Sequence, residues 1–376
     1  MYERIKQMLI KEFIQTFRDP KMMGIIFMMP IVQVLIFGYA VTTDVRHVKT
    51  AVHDLDNSVV SRELVSRFEK SGYFDIIEYV DNDDRATELV DRGEVRTVLR
   101  INKGFGDDLR AGRTAALQVI VDGTDSNTAG IVLDYSSKIS LRFSQQVLLT
   151  RFTRLRGFAE KPGHVVLETR AWFNENLESR NFYVPGVIAI IVMLITLMLT
   201  SMAVVREKEI GTMEQIMVTP IRPFEFILGK TVPFALIGFA DVVLITVIGV
   251  FWFEVPIRGS LPLLFGATSL YLMTTLGIGL LISTVSDTQQ QAMMSTFFFY
   301  FPAVLLSGFM FPINNMPVVI QYFTYLNPLR YFLIIIRGVF LKGVGIDILW
   351  PQMVALAVMG VVTLWLAASR FQKTLA

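Results

Sequence analysis

The stretch REKEIGTMEQIMVTPIRPFEFILGK, from Arg206 to Lys230, decides how the rest of the chain is read. It lies between two long apolar segments. It is too polar for hydrocarbon, yet its pattern is regular. Ile210, Met213, Ile216 and Met217 recur at helical spacings of three and four. Glu207 and Glu214 are seven apart and share a face. Thr219-Pro220 ends the helix, because the residue before a proline is pushed away from the helical region. Pro223 to Leu228 then leads to Gly229 and the next apolar run. Two readings fit: a solvated interfacial hairpin between spans, or a helix that docks on a soluble partner and transmits force.

Working outward, the 376 residues are 53% hydrophobic, with a mean hydropathy of +0.51. The apolar residues fall in unbroken runs, which indicates a membrane protein. Charge is unevenly spread. Of 68 charged residues, 42 lie between Val41 and Pro185, as expected for one hydrophilic domain inserted in a membrane protein. The net charge of +2 argues against a nucleic-acid partner. There is no cysteine, so disulfides, thiolate catalysis and cysteine metal sites are excluded. The three histidines, His47, His53 and His164, form no metal-binding pair on a helix.

The expected fold is an α-helical multi-pass membrane protein with six transmembrane helices and an α/β domain inserted between the first two. Residues 1–21 read as an amphipathic interfacial helix with Ile5, Met8, Leu9, Phe13 and Phe17 as its apolar stripe, beside anionic lipid. Met22 to Val41 is one bilayer span long. A cleaved signal peptide is the rival reading, but the run exceeds a usual signal core of ~7–15 residues, and an uncleaved anchor is favoured. Residues 42–183 alternate strand and helix signals: strands at Lys49–Asp54, Phe74–Val80, Val95–Ile101 and Leu117–Val121, helices at Ser58–Lys70, Asp84–Arg92, Phe105–Ala111 and Ser126–Arg156. Five further spans follow at Val184–Val205, Thr231–Phe253, Leu263–Val285, Ala292–Phe311 and Trp350–Ser369. Residues 312–349 read as two re-entrant or interfacial helices broken at Asn327-Pro328. With the amino terminus inside, short inside segments carry eleven Lys and Arg and short outside segments four. That bias puts both termini in the cytoplasm and the α/β domain outside.

Motifs for chemistry are weak. Gly229-Lys230-Thr231 ends like a phosphate loop, but Phe224 stands where the first glycine should be. Lys103-Gly104-Phe105-Gly106 is a lone glycine turn. Asp122, Asp125 and Asp134 read as turn and helix-start carboxylates rather than a metal cluster. No catalytic, cofactor-binding or metal residue is expected in this chain. Asp241, near the middle of the third span, costs roughly 2.5–3.5 kcal/mol in hydrocarbon and must face the bundle interior or water. It is either a pathway residue or a packing carboxylate. The fifth span carries an aromatic run that includes Phe298 and Tyr300, with Gln289, Gln290 and Gln291 at its mouth. These two aromatics are pathway candidates, although lipid-facing bulk or dimer packing also explains such a run.

The order Glu207, Glu209, Gly211-Thr212, Glu214, Thr219-Pro220, Gly229-Lys230 resembles the cytoplasmic loop of type 2 ATP-binding-cassette exporter permeases. Asn181 to Gly186 resembles that family's entry to its second span. Leu306 to Pro312, Asn327-Pro328 and Arg337-Gly338 resemble the pattern before its last span. The resemblance implies a six-span, multi-pass permease of the bacterial inner membrane that works as a homo- or heterodimer. It implies ATP bound and hydrolysed by a separate ATPase subunit that presses on the 206–220 coupling helix. The large external domain is similar to that of drug or lipid exporters, some of which use a periplasmic adaptor. Two other classes stay open: an ion- or proton-coupled transporter using Asp241, and a membrane-anchored ligand-binding receptor.

Overall fold

The computed structural model of the protein describes residues 2–40, 45, 47–156, 172–174, 178–212 and 223–374. The chain divides into two compact units, Thr43–Thr169 on its own and Met1–Thr42 together with Arg170–Ala376.

The Thr43–Thr169 unit is built on a four-stranded sheet of β1 (Val48–Asp54), β2 (Phe74–Tyr79), β3 (Thr97–Ile101) and β4 (Leu117–Val121), in spatial order β2-β1-β3-β4. β1 runs parallel to β2 and β3, and β4 closes the edge antiparallel to β3. Parallel neighbours need crossovers, and helices α4 (Val59–Lys70) and α5 (Asp83–Asp91) supply them. Alternation along the strands separates two cores. Val48, Val52, Leu99 and Ile101 pack with Leu64, Val65 and Phe68 of α4, Phe105 of α6 (Phe105–Ala111), and Val132 and Phe143 of α7 (Ser126–Arg156). Ala51 and Val98, on the other face, meet Ala86 and Leu89 of α5. Ser58 caps α4 by accepting from the Ser61 amide at 3.1 Å. Asp122 accepts from the Thr124 amide, and Asp125 from those of Asn127 and Thr128. These carboxylates shape a turn and the start of α7. The third strand starts at Thr97, two residues later than expected.

The second unit is helical. α1 spans Tyr2–Arg18. α2 (Pro20–Met23), a π turn over Gly24–Met28 and α3 (Met29–Ala40) follow in direct succession. The longer helices are α8 (Ser179–Ile210), α9 (Pro223–Phe251), α10 (Leu261–Val285), α11 (Gln289–Leu305) and α14 (Ile346–Thr374). Four of them, α8, α9, α10 and α14, are long and apolar enough to cross a membrane. The run from Met22 to Val41 forms a shorter apolar helix over Gly24–Tyr39. The fifth expected span is shorter than its apolar run suggests. α11 has 17 residues, contains Pro302 and ends before Gly308, whose φ of +82° leaves the helical region. The apolar residues beyond it belong to the turn.

α8 is the axis of this unit. Its apolar window is 89% buried, against 17% for α14, because α8 is apolar on every side and so must be surrounded. α3, α9, α10, α11 and α13 (Pro328–Arg337) all pack on it. A β-carbon on Gly279 would lie 2.8 Å from Thr200 Cβ and 3.2 Å from the Leu197 carbonyl, so α10 approaches α8 only because no side chain intervenes. Hydroxyls join the helices. Thr196 donates to Thr275 at 3.0 Å, Thr296 to Ser201 at 2.9 Å, and the Tyr271 hydroxyl to the Ala189 carbonyl at 3.0 Å. Between α11 and α14, α12 (Val318–Phe323) and α13 flank Asn327. Asn327 caps α13 by accepting from the Leu329 amide at 3.1 Å and donates to the Ala303 carbonyl at 2.6 Å.

Candidate functional site at the carboxyl end of α8

The carboxyl end of α8 carries Arg206, Glu207, Lys208 and Glu209, and Gly211 stops the helix. Gly211 has φ +78° and its amide donates to the Lys208 carbonyl at 3.1 Å, a left-handed cap that suits glycine. Glu207 is not at the surface: it is 3% exposed. One of its oxygens accepts from Lys230 Nζ at 2.8 Å and from Lys11 Nζ at 2.9 Å. Lys230, 2% exposed, also pairs with Glu12 at 2.6 Å. The Thr212 hydroxyl donates to the other Glu207 oxygen. Two cations and two anions from α1, α8 and α9 thus form one charge-balanced knot, in which Glu12, Glu207 and Lys230 are buried and Lys11 is half exposed. Burial strengthens such charge-assisted bonds and makes a missing partner costly.

The neighbouring charges hold two more helices. Lys208 Nζ donates to the Ser286 carbonyl at 3.2 Å, just past the end of α10, where a cation meets the helix dipole favourably. The Glu209 carboxylate accepts from the Gln289 amide at 2.8 Å and from its side chain, at the positive start of α11. Four helices, α1, α9, α10 and α11, are therefore clipped to a single helix end. A displacement of residues 207–212 must move α1, α9, α10 and α11 or break these bonds.

Sequence reasoning named Glu207, Glu209, Gly211 and Thr212 but missed Lys11, Glu12 and Lys230 as their partners. The signal lay in α1. Glu12 and Thr16, four apart, are 4% and 3% exposed, while Ile10, Ile14 and Phe17 are 42%, 57% and 45% exposed. The inward face of α1 is therefore partly polar, and an apolar stripe faces out. Gly229 shows how close α1 lies to α9, since a β-carbon there would come within 2.9 Å of Met8 Cβ. Glu214 and Pro220 lie outside the described residues.

The remaining candidates are scattered. Asp241 lies on α9, eleven residues and about 16 Å beyond Lys230. It is fully buried, and neither carboxylate oxygen has a hydrogen-bond partner among the described residues. Gly238, one turn earlier, faces Thr196 of α8 and Leu272 of α10. On α11, Phe298 is 83% exposed, whereas Tyr300 packs against the helical core; the two point to different faces. Asn327, Pro328 and Arg337 bracket α13. Pro328 opens the helix, and the Arg337 guanidinium stacks on Phe182 at 3.7 Å from the ring centroid.

A model of the ABC-2 family transporter protein matches residues 20–369. The chain is similar to two Escherichia coli proteins named probable multidrug ABC transporter permease. It is 32% identical to YbhR over 99% of both chains, and 33% identical to YbhS over 98% of this chain and 97% of that one. It is also 31% identical to the E. coli inner membrane transport permease YhhJ, over 86% of this chain and 85% of that one. A family match across nearly the full length, apolar helices able to cross a bilayer and a polar helix end clipped to four neighbours agree, and the chain is a transmembrane permease of the ABC-2 transporter family.

Proposed function

We propose that this permease is the membrane subunit of an ATP-driven exporter, with the ATPase on a separate polypeptide that seats on residues 206–220. Closure of the ATPase pushes the end of α8, and the charge knot of Lys11, Glu12, Glu207 and Lys230 passes that displacement to α1 and α9. The knot is the observation that carries the reading. A polar loop with no mechanical role has no need of a four-charge junction with three buried members, which adds little net stability over apolar packing.

In this reading six helices cross the membrane. α2 with α3, and α11, add to the four long spans, with both termini and the 206–230 loop cytoplasmic and residues 42–183 outside. The eleven-to-four bias of basic residues supports that orientation. The permease pairs with a like or related subunit. Its cargo is amphipathic or apolar, as the relatives' names and the aromatic α11 suggest. A periplasmic adaptor is a further expected partner. Asp241, buried and without a hydrogen-bond partner among the described residues, lines the translocation interface. The same observation favours one second reading, a proton-coupled transporter with Asp241 as the coupling acid.

Purification of the full-length protein from its native membrane in mild detergent separates the two. Co-purification of an ATPase whose retention falls in Glu209→Lys supports the exporter. Transport by reconstituted permease alone, without any ATPase and abolished in Asp241→Asn, overturns it.

A further inference from the structure

α1 leaves a basic groove beside its exposed apolar stripe. An open groove of about 520 Å³ is lined by Lys11, Ile14, Gln15, Arg18, Asp19 and Arg206. Three of these six side chains are cations and one is an anion. The anion is already engaged, because Asp19 Oδ1 accepts from the Met22 amide and so starts the following helix. Among the described residues neither Arg18 nor Arg206 has a carboxylate within ion-pair distance. Among the described residues Arg206, half-buried, donates only to the Met22 sulfur, at 4.0 Å. An arginine left without an anion at the mouth of a groove is an incomplete site.

The apolar half of the site is on the same helix. Ile10, Ile14 and Phe17 follow one another at spacings of four and three and are all exposed. Ile14 belongs both to this stripe and to the groove wall. A ligand that satisfies both halves has a negative head and an apolar tail. A soluble anion leaves the stripe in water, and a soluble protein partner leaves no route for a membrane-embedded stripe.

We propose that the Lys11–Arg18–Arg206 groove binds the phosphate headgroup of an anionic phospholipid, with its acyl chains along Ile10, Ile14 and Phe17. The proposal rests on the reading that α1 lies at the cytoplasmic membrane surface. Because Lys11 also bonds Glu207, the bound headgroup touches the charge knot, and the lipid becomes a structural part of the junction between α1 and α8.

The test is lipid retention by the full-length permease, delipidated in detergent and offered phosphatidylglycerol and phosphatidylcholine with matched chains, read by native mass spectrometry. The wild type is expected to retain phosphatidylglycerol preferentially. Each basic side chain beside an anionic headgroup is worth roughly a factor of five, so Arg18→Gln/Arg206→Gln is expected to lose about 25-fold of that preference. Arg18→Lys/Arg206→Lys, which keeps the charges, restores most of it and guards against a fold defect. Equal retention by wild type and the Gln variant overturns the proposal, and so does displacement of the lipid by inorganic phosphate alone, which would assign the groove to a free anion. The ATPase content of the same preparations reports on the exporter reading independently.

Discussion

A single oxygen of Glu207 accepts from Lys230 at 2.8 Å and from Lys11 at 2.9 Å, so helices that are distant in sequence meet at one buried carboxylate. Removing one member strands the others. Lys230→Met leaves the buried Glu12 without its cation and Glu207 with Lys11 alone, at a cost of roughly 3–5 kcal/mol. Thermal unfolding in detergent is expected to show a strong loss for this variant. Replacing Glu12 and Glu207 by Gln as well should recover most of it. An unchanged melting temperature for Lys230→Met would contradict the knot.

Gly229 permits the close approach of α1 to α9. A β-carbon there meets Met8 Cβ at 2.9 Å. Gly229→Val is expected to cost about 1–3 kcal/mol through overpacking and to push α1 outward. Protease cleavage within α1 reads the displacement, and Met8→Ala in the same chain should relieve it.

Asp241 divides function from packing. With both oxygens buried and unpartnered among the described residues, Asp241→Asn and Asp241→Leu are expected to fold, Leu at least as well as wild type. Both should lose transport in cells that express the partner ATPase. Full transport by both would leave Asp241 as a packing residue.

The Thr43–Thr169 unit carries an acid-sensitive clip. Asp56 accepts from the amides of Gly104 at 2.9 Å and Gly106 at 3.0 Å, at the start of α6. Burial pushes its carboxyl up, but the bonds from Ser58 and from the Gly106, Gly104 and Phe105 amides outweigh that and hold it below the usual range. The folded value lies below the unfolded one, so the stabilisation is complete above about pH 3.9 and fades as pH falls through the lower, folded value. Hydrogen-exchange protection at Gly104 and Gly106, taken relative to the intrinsic rate at each pH, should therefore fall below about pH 4. Asp56→Asn should remove the acid-dependent part of that change.

Much of the architecture was legible in the sequence because the relevant signals are local. Alternation located the four strands, and Ser58, at the expected start of α4, caps that helix. The break at Asn327-Pro328 was visible because proline opens helices and asparagine caps them. The end of α11 was not, because Leu306 to Phe311 continue the apolar run after the backbone has turned at Gly308. At the candidate site, the acidic residues could be named but not their burial. Glu207 reads as a surface charge when its partners Lys11 and Lys230 are 196 and 23 residues away. Periodicity along one helix reports which faces differ, not which charge on another helix comes to meet them.

The most direct test of the account uses Glu207→Gln in proteoliposomes that hold the permease with its co-purified ATPase, scoring ATPase retention and ATP-driven cargo movement separately. This variant keeps the Lys230–Glu12 pair and the shape of the side chain. The account expects the ATPase to remain bound and to hydrolyse ATP while transport falls about tenfold or more, in line with the weakening of the bonds to Lys11 and Lys230, each worth about 1.5–3 kcal/mol. Transport at the wild-type rate would contradict coupling through the Glu207 junction.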